Sequence, residues 1–183
     1  MQERRNLVVV YHSAYGHTAR LAEFIHRGAA SVDGVASRLM PVDAVDWEAL
    51  QQADALIFGC PTYMGSASAA FKQFMDDTSR IWLQQGWKGK LAAGFTNSSG
   101  LSGDKLSVLM QIHLFAMQHG MLWTGMPLMP TGVTPGDLNR MGSYMGLMAQ
   151  SDNASPDITP PSGDLATAEW FGGHVASLLV SIT

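Results

Sequence analysis

The stretch Leu7-Val8-Val9-Val10-Tyr11-His12-Ser13-Ala14-Tyr15-Gly16-His17-Thr18 decides the fold. Its first five residues are all apolar or aromatic, which reads as a strand covered on both faces, since a half-solvated strand alternates with period two. A small polar loop follows. Residues 18–27 then place Leu21, Ala22 and Ile25 on one helical face, with Ala29 just beyond. A strand that turns directly into a helix aims unpaired backbone N–H groups and a positive dipole end at the connecting loop, which makes an anion site. Ser13 and Thr18 add hydroxyl donors, and Gly16 lets the backbone curl closely. His17 is better placed than His12 to reach a phosphate. The loop has no Lys or Arg and matches neither GxxxxGK[ST] nor GxGxxG, so it suits a terminal monophosphate better than a triphosphate with magnesium. The same residues also read as an ordinary strand-to-helix turn with a capping Ser or Thr.

The pattern repeats outward along the chain. Apolar runs at 35–40, 55–59, 91–95 and 121–124 read as four more strands. Helical spacing appears in Phe71, Phe74, Met75 and Thr78, on a helix starting near Ser66. It returns in Leu106, Leu109, Met110 and Met117, on a helix ending at Gly120, and in Leu165, Trp170, Val175, Leu178 and Leu179, with Ser162 or Asp164 as cap. Alternating strands and helices predict an α/β fold with a parallel sheet and helices on both sides. Residues 125–163 interrupt this rhythm and hold six of the eight prolines, which predicts a Pro/Gly-rich excursion or lid outside the core.

Composition narrows the class. A chain of 183 residues, 46% apolar and 14% charged, is the size of one domain, here 1–183. A net charge of -4 without long like-charged runs excludes a nucleic-acid footprint. The amino terminus does not read as a signal peptide, and no apolar run reaches the roughly 18 residues of a membrane span. The single cysteine, Cys60, rules out an intramolecular disulfide and fits a cytoplasmic protein.

Ligands of open parallel sheets bind beyond the carboxyl ends of the strands, and two more such ends are unusual. After 55–60 comes Pro61-Thr62-Tyr63-Met64-Gly65-Ser66, a rigid turn whose N–H groups can face a heteroaromatic edge while Tyr63 or Met64 packs beside it. After 91–95 comes Thr96-Asn97-Ser98-Ser99-Gly100, small and polar enough for close backbone approach. Three such loops on one edge outline a flat polar-aromatic ligand.

At these residues the chain resembles the WrbA-type NAD(P)H:quinone oxidoreductases among the flavodoxin-like FMN proteins. The resemblance is carried by residues 11–18, by Gly59-Cys60-Pro61-Thr62-Tyr63-Met64-Gly65, by 96–100, by His119-Gly120-Met121 and by Gly142-Ser143-Tyr144. It implies a flavodoxin-like three-layer α/β/α sandwich with a five-stranded parallel sheet in order 2-1-3-4-5, bound FMN, and self-association as a dimer or tetramer. Carried over by position, Ser13, Ala14, Tyr15, Gly16, His17 and Thr18 hold the FMN phosphate. Pro61, Thr62, Tyr63, Met64 and Gly65 border the isoalloxazine edge, and Thr96, Asn97, Ser98, Ser99 and Gly100 the ring and ribityl chain. His119 lies near the flavin pyrimidine, Tyr15 shapes the nicotinamide side, and Trp82 borders the substrate cavity, from this subunit or another. The implied activity is hydride uptake from NADH or NADPH and two-electron reduction of a quinone in one shared slot, with ping-pong kinetics. The competing function is a flavodoxin-type electron carrier without small-molecule turnover, which the mild charge disfavours.

Single residues keep plainer readings. His119 before Gly120 suits a helix C-terminus, Trp82 and Trp87 suit packing around a helix end, and Met141, Met145 and Met148 suit gap-filling. Cys60 has no partner that would make it catalytic.

Overall fold

The computed structural model describes residues 4–182. Strands β1 (Arg5–Tyr11), β2 (Val35–Pro41), β3 (Ala55–Tyr63) and β5 (Leu91–Ser98) pair in parallel in the order β2-β1-β3-β5. Along β1, Leu7 and Val9 face one side and Val8 and Val10 the other, and both pairs are buried. That is why the run is continuously apolar: each face carries its own core. On one side lie α1 (His17–Ala30) and α6 (Ser162–Ser181), with Leu21, Ile25, Phe171 and Val175 packed on Ile57 and Phe95. On the other lie α3 (Ala69–Asp77) and α5 (Lys105–Gln118), where Phe58, Phe71, Phe74, Trp87 and Phe115 form an aromatic cluster.

The expected fifth strand is split. The run at 121–124 yields only β6 (Leu122–Trp123), which pairs with the start of β5, while β7 (Leu147–Gln150) pairs with its end. Gly125 takes the chain out of the sheet against the Tyr144 carbonyl, where any Cβ would lie 2.3 Å from the oxygen, and Pro127 and Pro130 lack the N–H a ladder needs. The 2-1-3-4-5 order is thus kept with its last position built from two pieces. Residues 147–150 belong to the sheet and Leu147 and Ala149 to the core, so the 125–163 segment is not wholly an excursion.

Smaller differences have local causes. Ser66 lies not in a helix but in β4 (Ser66–Ala67), which folds back antiparallel on Thr62 and Tyr63. Met64 and Gly65 form its two-residue turn, both at positive φ (50° and 72°), as a tight hairpin requires. Helix α3 starts after Ser68. The short helices α2 (Trp47–Gln52) and α4 (Ser79–Leu83) carry too few residues for their period to show. Asp164 does not cap α6: its carboxylate turns inward to Arg140. Among the described residues no helix is long and apolar enough to cross a membrane.

Candidate functional site

A cavity of about 720 Å³ opens at the carboxyl ends of β1, β3, β5 and β7, within the roughly 300–1,000 Å³ of small-molecule sites. Its first wall is the β1–α1 loop. Gly16, at φ 92°, stands at the N-cap position of α1, and among the described residues no side chain caps the helix. Ser13 Oγ accepts the Gly16 N–H at 3.1 Å. The N–H groups of the first turn thus open toward the cavity that Ser13, Ala14, Tyr15, His17 and Thr18 line. Among the described lining residues there is no Lys or Arg, and the two carboxylates are Asp104 and Asp152.

The second wall is residues 61–65, with Tyr63 half exposed and Met64 fully exposed at the rim. Desolvation, with Tyr15 and Cys60 beside it, pushes the Tyr63 phenol up, so it stays neutral. Behind this wall Thr96 is fully buried. Its hydroxyl donates to the Cys60 carbonyl at 2.7 Å and therefore accepts from Thr62 Oγ1 at 2.9 Å, which locks the β3 end to β5. Thr96 holds the wall and does not line the cavity. Asn97, Ser98, Ser99 and Gly100 form the third wall together with Gly103 and Asp104.

Residues 151–156 supply a fourth wall, which the sequence reading placed in the excursion. Ser151 Oγ donates to Asn97 Oδ1 at 3.0 Å, and His17 Nε2 donates to the Ala154 carbonyl at 2.8 Å. Pro156 rests against Gly16, where a Cβ would come within 2.8 Å of its ring. The signal was present: apolar 147–149 followed by small polar residues repeats the pattern of the other three strand ends. The prolines around it masked that pattern.

The profile of the family described as NADPH-dependent FMN reductase matches residues 41–133. Flavodoxin FldP of Pseudomonas aeruginosa is 38% identical over 180 residues, covering 93% of this chain and 95% of its own. An NAD(P)H dehydrogenase (quinone) of Syntrophobacter fumaroxidans is 31% identical over 205 residues, covering 97% and 98%. The crystal structure of a flavodoxin, WrbA-like protein from Agrobacterium tumefaciens superposes with a TM-score of 0.79 at 39% identity, over 98% of this chain and 99% of that one. The chain belongs to the WrbA-type flavodoxin-like FMN family.

The residues present fit the FMN such a WrbA-type protein would carry. An uncapped helix start with no acidic residue in its first turn accepts a phosphate, and a slot walled by Tyr15, Tyr63 and backbone-rich loops accepts a flat polar ring. Two expected residues do not join it. His119 is buried at the C-cap of α5, its ring packed on Trp87 (4.7 Å between centroids) and Phe115 (4.8 Å), away from the cavity lining. The Thr78 hydroxyl donates to the Met75 carbonyl, so His119 Nε2 must donate to Thr78 Oγ1, at 2.9 Å. Its Nδ1 is then a bare acceptor with no partner among the described residues, and burial pulls its pKa down to about 4. The placement is that of a neutral structural histidine, the plainer of the two readings. Trp82 is half exposed on α4, also outside the lining. Cys60 is buried, its thiol pushed up to about 12 by desolvation, which makes it inert.

Proposed function

We propose that this chain is a single-domain FMN-dependent oxidoreductase that takes a hydride from NADH or NADPH and reduces a quinone-type acceptor by two electrons. The observation that carries this reading is the uncapped start of α1 opening into a cavity walled by three other strand-end loops. When bound, FMN supplies the hydride and two-electron chemistry. The protein binds and orients. The first-turn N–H groups of α1, Ser13 and Thr18 hold the phosphate. Residues 61–65 and 97–100 present backbone along the ring edge, and exposed Tyr15, Tyr63 and Met64 leave one side open as an aromatic slot for donor and acceptor in turn. Thr62 and Thr96 keep that edge in register through their shared hydrogen bond. Trp82 and His119 have no role in the cavity of one protomer.

The test is an absorbance spectrum of protein loaded with FMN and freed of excess, followed by addition of NADH and then benzoquinone. Flavin bands that bleach with NADH and return with quinone support the reading. Bands that ignore NADH favour the electron carrier, which the relative named flavodoxin FldP keeps as a second reading. A redox titration with two separate one-electron steps points the same way.

The chain also self-associates on this reading. Leu106, Met110 and Leu114, each more than half exposed, form one uncharged face of α5 that lines a groove with Met141, Met145 and Met148, a surface a second copy could cover. Sedimentation giving a dimer or tetramer supports it, and a monomer at micromolar concentration argues against it. We place the protein in the cytoplasm, where its one thiol stays reduced.

A further inference from the structure

Lys105 is fully buried at the first position of α5. That position disfavours a cation twice over, because burial strips its water and a helix N-terminus is itself positive. Desolvation accordingly lowers its pKa to about 8, with Asp164 raising it and Arg140 lowering it further. Its bonds account for the placement. Nζ donates to the Gly100 carbonyl at 2.6 Å and to Ser98 Oγ at 3.1 Å, and both residues line the cavity. Beside it, Arg140 grips buried Asp164 through two bonds of 2.7 and 3.0 Å and donates to Gln150 Oε1 at 3.1 Å. Gln150 Nε2 in turn donates to the Ser99 carbonyl at 2.8 Å. Two buried cations and one buried carboxylate therefore stand behind this wall, and the Asp104 carboxylate lies in the wall itself.

The geometry has a directional consequence. In a planar trans peptide the carbonyl and the next N–H point in opposite directions. With the Ser99 carbonyl held by Gln150 and the Gly100 carbonyl by Lys105, the N–H groups of Gly100 and Leu101 turn away from these partners. Neither has a hydrogen-bond partner among the described residues.

We propose that Lys105 is a positioning residue for the cofactor: by gripping the Ser98 hydroxyl and the Gly100 carbonyl it fixes the 98–100 wall in which Gln150, on the Ser99 carbonyl, turns the Gly100 N–H to the cavity, and it places a positive charge behind that wall to stabilise negative charge on a bound flavin. The inference rests on the FMN reading above. Charge-assisted hydrogen bonds of this kind are worth enough to change affinity about tenfold or more.

The experiment measures FMN affinity by fluorescence quenching and the flavin reduction potential, in the wild type and in Lys105→Met and Lys105→Gln. Met is expected to weaken FMN binding at least about tenfold and to make the potential more negative. Gln can still donate to the Gly100 carbonyl but carries no charge, so it is expected to recover part of the affinity and none of the potential. Folded variants with wild-type affinity and potential overturn the proposal. So does lost affinity with an unchanged potential, which marks a purely structural role. A wild-type chain that does not bind FMN overturns the underlying reading as well. A measurement on the wild type stands even if the variants fail to fold: FMN should slow hydrogen exchange at the Gly100 amide, and an unchanged rate counts against the proposal.

Discussion

At the scale of single residues, His119 and Gly16 show how one position couples to the rest. His119 has an ordinary pKa of 6.5 and is held down to about 4 in the fold, because burial strips the water that would solvate the charged ring. Between those values the unfolded chain binds the proton and the native chain does not, so stability is full above pH 6.5 and is lost as pH falls toward 4. The swing is roughly 3 kcal/mol. Denaturant melts at pH 7 and pH 4.5 should show the loss, and His119→Gln, which keeps a donor for Thr78, should reduce it. Gly16 sits at φ 92° with Pro156 against its open side. Gly16→Ala therefore strains the backbone by about 1–2 kcal/mol and displaces the fourth wall. It should lower the melting temperature and weaken FMN binding more than free-enzyme stability alone accounts for, as a titration of FMN fluorescence will read.

At the scale of elements, the crossing of α1 and α6 turns helix propensity upside down. A Cβ on Gly172 would lie 1.9 Å from the Ile25 carbonyl oxygen, and one on Gly28 would lie 1.8 Å from the Glu169 carbonyl oxygen. Mid-helix Gly→Ala ordinarily stabilises by up to about 1 kcal/mol. Here Gly172→Ala should destabilise by roughly 1–3 kcal/mol, because the helices must separate or bend as in any overpacked core. Urea unfolding of the variant decides the sign. The elements were legible where their pattern was long. The β1, β3 and β5 cores and the helices α1, α5 and α6 follow from continuous or 3.6-period hydrophobicity. The β4 hairpin was not legible, because its turn residue Met64 adopts a left-handed conformation usually signalled by Gly or Asn.

At the scale of the whole molecule, the cavity gathers loops from residue 13 to residue 156, so a ligand that fills it should brace the entire sheet edge. Binding only the native state at 100 times Kd adds about 2.7 kcal/mol, which for a chain of this size raises Tm by roughly 5–10 °C. Thermal melts should show that rise with FMN and a clearly smaller one with riboflavin, which lacks the phosphate we propose for the start of α1. Equal shifts would mean that the β1–α1 loop is not the phosphate site.

The sequence by itself determined the layers and three of the four cavity walls, because those depend on local quantities: runs of apolar residues, a helical period, and a strand that turns straight into a helix. The place of Ser13 to Thr18, of Pro61 to Gly65 and of Asn97 to Gly100 follows from that local grammar. The tertiary structure alone decided three things. Residues 147–150 complete the fifth strand and carry 151–156 to the cavity, because β5 leaves an open edge that only a distant segment can fill. His119 sits in the aromatic cluster and not at the cavity, because α5 ends on the far side of Phe115 and Trp87. Lys105 reads as an ordinary surface lysine until the fold closes Asp164, Arg140 and the 98–100 loop around it, since burial belongs to the packed chain and not to the residue.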